Sequence, residues 1–252
     1  MKKRTHAFIP DTQVKPNVPT EHITAAGNYL ADKQPDIIVC IGDWWDMPSL
    51  STYDKAGSKG WEDKDVSADF EAGCDAMSDF LRPIQKAKGY NPKLVFTMGN
   101  HEDRVRRARE DPENRRFKGF LKDDQFRLKE FGFKVVPFLK PINIDGILYC
   151  HYFTGGVMDR PLGGQVETRL KNLCHSFSMG HQQMYQVGVW YTGTGERIRG
   201  LVNGTFYQHD EEYVSTQGNA RTWRGILLKH EVHKGNYDLM EVSMEYLLEN
   251  WQ

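Results

Sequence analysis

The period of the hydrophobic pattern changes along this chain, and each change predicts an element. Short apolar runs at 6–9 and at 37–41 (Ile37, Ile38, Val39, Cys40, Ile41) read as buried strands. Between them, 20–33 reads as a helix that stops before Pro35, so the chain opens with a βαβ unit. Phe70, Cys74, Met77, Leu81 and Ile84 recur at steps of three and four and make one apolar stripe, which predicts a helix over 66–87. A strand at 93–98 follows, ending at Gly99.

From 103 to 130 the pattern turns polar. Arg104, Arg106, Arg107, Arg109, Arg115, Arg116 and Lys118 interleave with Glu102, Asp103, Glu110, Asp111 and Glu113, which predicts a solvated, salt-bridged helical excursion rather than a nucleic-acid groove. Beyond it, short apolar runs between Gly- and Asn-containing breaks predict strands at 133–138, 146–151, 175–179, 185–191, 198–206, 225–233 and 237–243, interrupted by a helix near 164–173. An α/β first half joined to a β-rich second half favours two packed sheets with helices outside. No repeat, low-complexity tract or linker-like shift divides the chain, so 1–252 is expected to form one domain.

Composition narrows the partners. The 33 basic and 34 acidic residues give a formal net charge of -1, so no whole-chain field draws the protein to nucleic acid or anionic lipid. Cys40, Cys74, Cys150 and Cys174 show no C-x-x-C spacing, and Cys40, Cys150 and Cys174 lie in apolar runs suited to buried thiols; a reduced, cytoplasmic setting is expected. The basic start lacks an apolar segment behind it and no run is long enough to span a bilayer, so a soluble, unprocessed chain with no membrane partner is expected.

The candidate chemistry lies at the ends of the apolar runs. Asp11, Asp43, Asn100 with His101 and Glu102, and His151 each close one, and His181 follows a weaker run. Strand-end ligands converge on one edge of a sheet, so these residues can surround a cation cluster although far apart in sequence. Hard oxygen mixed with imidazole, without Cys, suits Mn, Fe, Zn or Mg. Two such ions bridged by a carboxylate, with Asp43 the natural bridge, activate water and clamp a phosphoester.

In order, the blocks read Asp11-Thr12-Gln13, Gly42-Asp43-Trp44-Trp45-Asp46, Gly99-Asn100-His101-Glu102, His151, and Gly180-His181-Gln182-Gln183. This series, over roughly 5–185, resembles the calcineurin-like metallophosphoesterases, whose blocks run D-x-H, G-D-x-x-D, G-N-H-D/E, a lone His, and G-H-x-H. The resemblance implies a four-layer αββα sandwich of two mixed sheets. It implies a first metal on Asp11 and Asp43 and a second on Asp43, Asn100, His151 and His181. His101 is similar to the family's non-ligand histidine that protonates the leaving oxygen, with Glu102 expected to orient its ring. Gln13 and Gln183 stand where two family histidines would, leaving neutral oxygen ligands or partners of a bound water. A firm second site and a weaker first site taking Mn²⁺ or Mg²⁺ rather than Fe³⁺ or Zn²⁺ follow from that.

Arg104, three residues after His101, either meets substrate phosphate or pairs with Asp103 or Glu102. Trp44 and Trp45 are either core or a stacking wall for a nucleobase, extended by Tyr53 and Trp61. Gly155-Gly156 and Gly163-Gly164 either mark turns or let the loop carrying Arg160 close over substrate. The expected activity is attack on a phosphoester by a metal-bound hydroxide. The first choice is a phosphodiesterase or nuclease acting on nucleotides or nucleic acid, and the alternative a phosphomonoesterase acting on phosphoprotein or a small molecule. Outside enzymes, the two Gln substitutions fit a binding protein with a decayed first site, and the 185–252 tail fits an assembly role.

Overall fold

The structure is a computed structural model and describes residues 3–52, 64–112, 119–210 and 222–252. Two sheets carry the chain. The first runs β13 (Asn236–Ser243), β12 (Gly225–His233), β1 (Arg4–Ile9), β2 (Ile37–Cys40), β3 (Lys93–Thr97), β4 (Lys134–Val136); β1 to β4 are mutually parallel, and β12 and β13 are antiparallel additions. The second runs β10 (Gln186–Tyr191), β11 (Arg197–Val202), β9 (Phe177–Met179), β6 (Ile147–Tyr149), β5 (Ile142–Ile144), with a small hairpin of β7 (Thr154–Gly155) and β8 (Arg160–Pro161) apart from it.

Strand alternation sorts the buried side chains into three apolar layers. Ala7 and Ile9 of β1, Ile38 and Cys40 of β2, and Ile226 and Leu228 of β12 pack under helices α1 (Glu21–Lys33) and α2 (Val66–Lys86). Their neighbours Phe8, Ile37, Val39 and Leu227 point the other way and meet Ile147, Tyr149 and Leu201 of the second sheet. On the far face of that sheet, Phe177, Met179, Ile198 and Val202 pack against Val166 and Leu170 of α4 (Val166–Leu173). Three apolar interfaces between helix, sheet, sheet and helix are the expected αββα sandwich, and period-two alternation generates them. No described helix is long and apolar enough to cross a membrane.

Several elements differ from the sequence reading. Among its described residues, the polar stretch after 103 forms one short α-helix, α3 (Asp103–Glu110), and a 3-10 turn at Asp123–Phe126, and it returns to the core: Leu121, Phe126 and Leu128 are buried, and the Phe126 ring lies 4.8 Å from Trp45 and 5.0 Å from Phe70. Arg115, Arg116, Lys118 and Glu113 lie outside the described residues, as do Tyr53 and Trp61. Two hairpin turns, Asp145-Gly146 and Lys234-Gly235, have positive φ at both positions (52° and 86°, 48° and 81°), the twist-matched two-residue connection. The first forms β5, which is too short to show as a run. The strand expected at 198–206 ends at Val202, and a closing helix α5 (Met244–Asn250) with Ser243 as its cap was not read from the pattern. Cys174, expected inside, is exposed at the C-terminus of α4 in a left-handed conformation; Cys40, Cys74 and Cys150 are buried.

Candidate metal centre and its surroundings

The C-terminal ends of β1, β2 and β3 in one sheet, and of β6 and β9 in the other, open on one edge of the sandwich. Asp11, Asp43, Asn100 with His101, His151 and His181 sit at those ends. Two glycines allow the strands to approach. Gly42 has φ +94°, and a Cβ there would meet the Gly99 nitrogen at 2.5 Å; a Cβ on Gly99 would lie 2.1 Å from Asp43 Oδ1. Gly180 is constrained in the same way, since its Cβ would reach Asp11 Oδ1 at 2.2 Å.

Asp43, His151 and His181 each offer one ligand atom, all within 4.8 Å of one another. His151 is fully buried, and its Nδ1 lies 2.9 Å from the Ile41 carbonyl oxygen, so Nδ1–H donates there and Nε2 is left to face Asp43 Oδ2 at 3.1 Å and Asn100 Oδ1 at 2.9 Å. Asp11 is held by the His181 backbone N–H at 2.9 Å, and its own carbonyl accepts the Phe206 N–H at 2.8 Å. Buried oxygen and imidazole donors aimed at one point fit a divalent cation. Without a cation the charges settle among themselves. Burial opposes charge on both partners, yet Asp43 pulls the His151 imidazole up to about 9, and His101 together with His151 holds Asp43 well below the usual carboxylate range. Burial, helped by the Asp43 charge, pushes Asp11 up to about 7. Loading a cation must displace these protons.

Gln13 is buried with φ 43°, and its N–H donates to the Asp43 carbonyl at 2.9 Å. The Gln183 side-chain oxygen accepts from the Tyr207 hydroxyl at 3.2 Å.

His101 is 6% exposed, and it is oriented by Asp46 rather than by Glu102. Its Nδ1 lies 2.8 Å from Asp46 Oδ1 and 2.9 Å from the Asp46 carbonyl oxygen, which leaves Nε2 toward Asp43 Oδ2 at 3.8 Å. Burial acts to lower its pKa, but Asp43 and the Asp46 hydrogen bond outweigh it and hold the ring above its ordinary value, with Arg104 opposing. Glu102 instead accepts backbone N–H groups from Asp43 (2.9 Å), Trp44 (2.8 Å), Trp45 (3.1 Å) and Gly99 (2.8 Å), clamping the β2 and β3 loops together. Its carboxyl is raised to about 7 by burial and by the Asp43 charge. Sequence reasoning missed the Asp46 contact, although the residue was visible as the second Asp of its block. Lys15 adds an ion pair to Asp46 at 3.1 Å.

Arg104 pairs with neither Asp103 nor Glu102: it donates to the Asp46 carbonyl at 2.7 Å, and its Nη2 lies 3.3 Å from His101 Nε2. Arg106 and Arg107 are the salt-bridged surface groups the pattern predicts, Arg106 bound to Asp103 and Glu110 and Arg107 lying 3.6 Å from Asp103, and Arg107 also donates to the Asn100 carbonyl at 3.1 Å. A cleft of about 410 Å³ opens over Asn100 and His181, lined by Arg104, Arg107, Phe138 and Tyr152 among others. The Tyr152 ring lies 4.5 Å from that of His181 and 5.5 Å from Phe138. The tryptophans do not line it. Trp44 and Trp45 are 1% and 0% exposed, and their indole N–H groups donate to the Gly73 and Phe70 carbonyls of α2. Arg160 sits in the β7–β8 hairpin and is exposed.

Comparison with known proteins agrees with this geometry. "Gene 54 protein" of Mycobacterium phage D29 is 33% identical over 104 residues, spanning 41% of this chain and only 38% of that protein. Among solved structures, Yfce, a phosphoesterase from E. coli, aligns over 95% of this chain and 99% of its own at 10% identity with a TM-score of 0.39, too distant to bear on the assignment. The family profile of the calcineurin-like phosphoesterases matches residues 7–215, which is well over half of the sequence. That match, on a chain whose strand ends bring their carboxylate, amide and imidazole groups to one edge, makes the protein a member of the calcineurin-like phosphoesterases.

Proposed function

We propose that the protein is a phosphodiesterase or nuclease acting on nucleotides or nucleic acid. The observation that carries this reading is the cleft over Asn100 and His181, where guanidinium groups and aromatic rings share one cavity large enough for a nucleotide-sized group. Arg104 and Arg107 suit the phosphate, and Tyr152 with Phe138 offers ring surface to a base. The tryptophan wall first expected for that role is core, so Tyr152 takes its place.

Asp43, Asn100, His151 and His181 would hold the firmer ion, and Asp11 and Asp43, with Gln13 and Gln183 as weak oxygen donors, the other. Mn²⁺ or Mg²⁺ suits that oxygen-rich first site. Bound there, the ions supply an activated water and neutralise charge on the phosphoryl group. His101, with Nδ1 fixed on Asp46, keeps a proton at Nε2 for the leaving oxygen. Arg104 competes for the same nitrogen and so limits how tightly that proton is held. Glu102 acts indirectly, by fixing the loops that present Asp43 and Asn100. A cytoplasmic setting accompanies this reading, supported by four free cysteines.

The test is hydrolysis of bis-p-nitrophenyl phosphate against p-nitrophenyl phosphate during a stepwise Mn²⁺ titration. Faster cleavage of the diester, with two unequal metal-binding steps, is the expected result. Preference for the monoester would favour a phosphatase, and two equally tight steps would refute the unequal pair.

A further inference from the structure

The second sheet ends in a strand that carries apolar side chains on both faces and pairs with no described strand on its outer side. On β10, Val189, Trp190 and Tyr191 are 38%, 38% and 62% exposed, and Val187 is 39% exposed. Neither Pro nor Lys protects this edge, and such an edge is a template for another strand. The direction of its free hydrogen-bonding groups follows from its inner partner. The Thr192 N–H donates inward to the Glu196 carbonyl and the β10–β11 register is regular, so the even positions bond to β11 and Val187, Val189 and Tyr191 present N–H and C=O outward.

We propose that β10 joins a second copy of this chain in antiparallel register about a twofold axis at Val189, forming one continuous ten-stranded sheet across a homodimer. In that register every cross-strand pair is complementary. Val189 faces its own copy and Val187 faces Tyr191, a β-branched residue against an aromatic one, both as hydrogen-bonded pairs. Gly188 faces Trp190 as a close, non-hydrogen-bonded pair, a residue without a side chain set against a bulky one. Gly188 has no room for one, because a Cβ there would meet Val166 of α4 at 2.6 Å.

Charge also matches in this register alone. On the face covered by α4, Glu167 Oε1 lies 3.4 Å from the Cβ position of Gly188, and Lys171 Nζ lies 4.4 Å from the centre of the Trp190 ring. Because Gly188 faces Trp190 of the other copy, Glu167 of each chain meets Lys171 of the other, twice by symmetry. A register centred on Gly188 would set Glu167 against Glu167.

Sedimentation or light scattering of the full chain tests this. The expected mass is twice the 29.1 kDa of one chain, falling to one on dilution. Val189→Pro removes an outward N–H from each copy without touching the inner ladder and should weaken the dimer at least about tenfold. Lys171→Glu should weaken it roughly tenfold by setting like charges together, and Glu167→Lys combined with Lys171→Glu should restore it. Circular dichroism keeps loss of pairing apart from loss of fold. A monomer at every concentration, or a dimer indifferent to both the proline and the charge reversal, would overturn the proposal.

Discussion

Asp43 and Asp46 hold the His101 ring above its ordinary pKa against burial and Arg104. On the proposed assignment His101 stands beside the ligands without being one, so in His101→Ala metal content should persist while turnover falls by roughly 10²- to 10⁴-fold. Metal analysis together with single-turnover rates checks both halves. Asp46→Asn should lower the pKa of the ring and move the basic limb of the rate profile to lower pH, a change that a purely structural Asp46 would not produce. The residue types of the site were legible because each stands at the end of an apolar run. What each does was less so. The four N–H groups bound by Glu102 come from two loops that only tertiary structure joins, and nothing in the local pattern around residue 102 announces them.

At the level of elements, strands of four residues or more and helices α1, α2 and α4 followed from periodicity, with boundaries one or two residues off except at the end of β11, which stops four residues early. The pattern failed where an element was short or where burial came from tertiary contact. Phe126, surrounded by charges in sequence, is core because α2 and the β2 loop supply its partners. Trp44 and Trp45 look like cleft residues beside a ligand but turn inward, because α2 offers two carbonyls and a gap at Gly73. That gap gives a sharp test. A Cβ on Gly73 would lie 1.9 Å from Trp45 Nε1, so Gly73→Ala should destabilise by about 1–3 kcal/mol, against a helix-propensity gain of at most about 1 kcal/mol. Urea titration gives the net sign, and a stabilised variant would show that the indole has room to move.

Across the whole molecule, buried basic side chains whose charge burial opposes make stability depend on pH. Lys229 is fully buried among Phe8, Tyr149 and Tyr237, with its amine held by Ser178 and Tyr149, and burial drives its pKa well below the usual lysine range. His6, bonded to Tyr149 and Asp145, and His22, bonded to the Phe206 carbonyl, are both lowered to about 4, chiefly by burial. Each is neutral when folded but takes up a proton near pH 6.5 when unfolded. The stability they contribute is therefore complete above about pH 6.5 and lost as the pH falls through about 4, up to about 3 kcal/mol for each. Urea midpoints recorded from neutral to mildly acidic pH should fall across that window, and a flat profile would show that neither ring stays neutral inside.

β1, which leads into Asp11, lies between β2, made next, and β12, which pairs with it more than two hundred residues later through Arg4 and Val232. Closing so long a loop makes folding slow, because the entropy of closure comes before the contacts that reward it. A nascent chain on the ribosome therefore holds most of its catalytic groups while one flank of its first strand stays open, and activity should emerge only after the distant hairpin has docked.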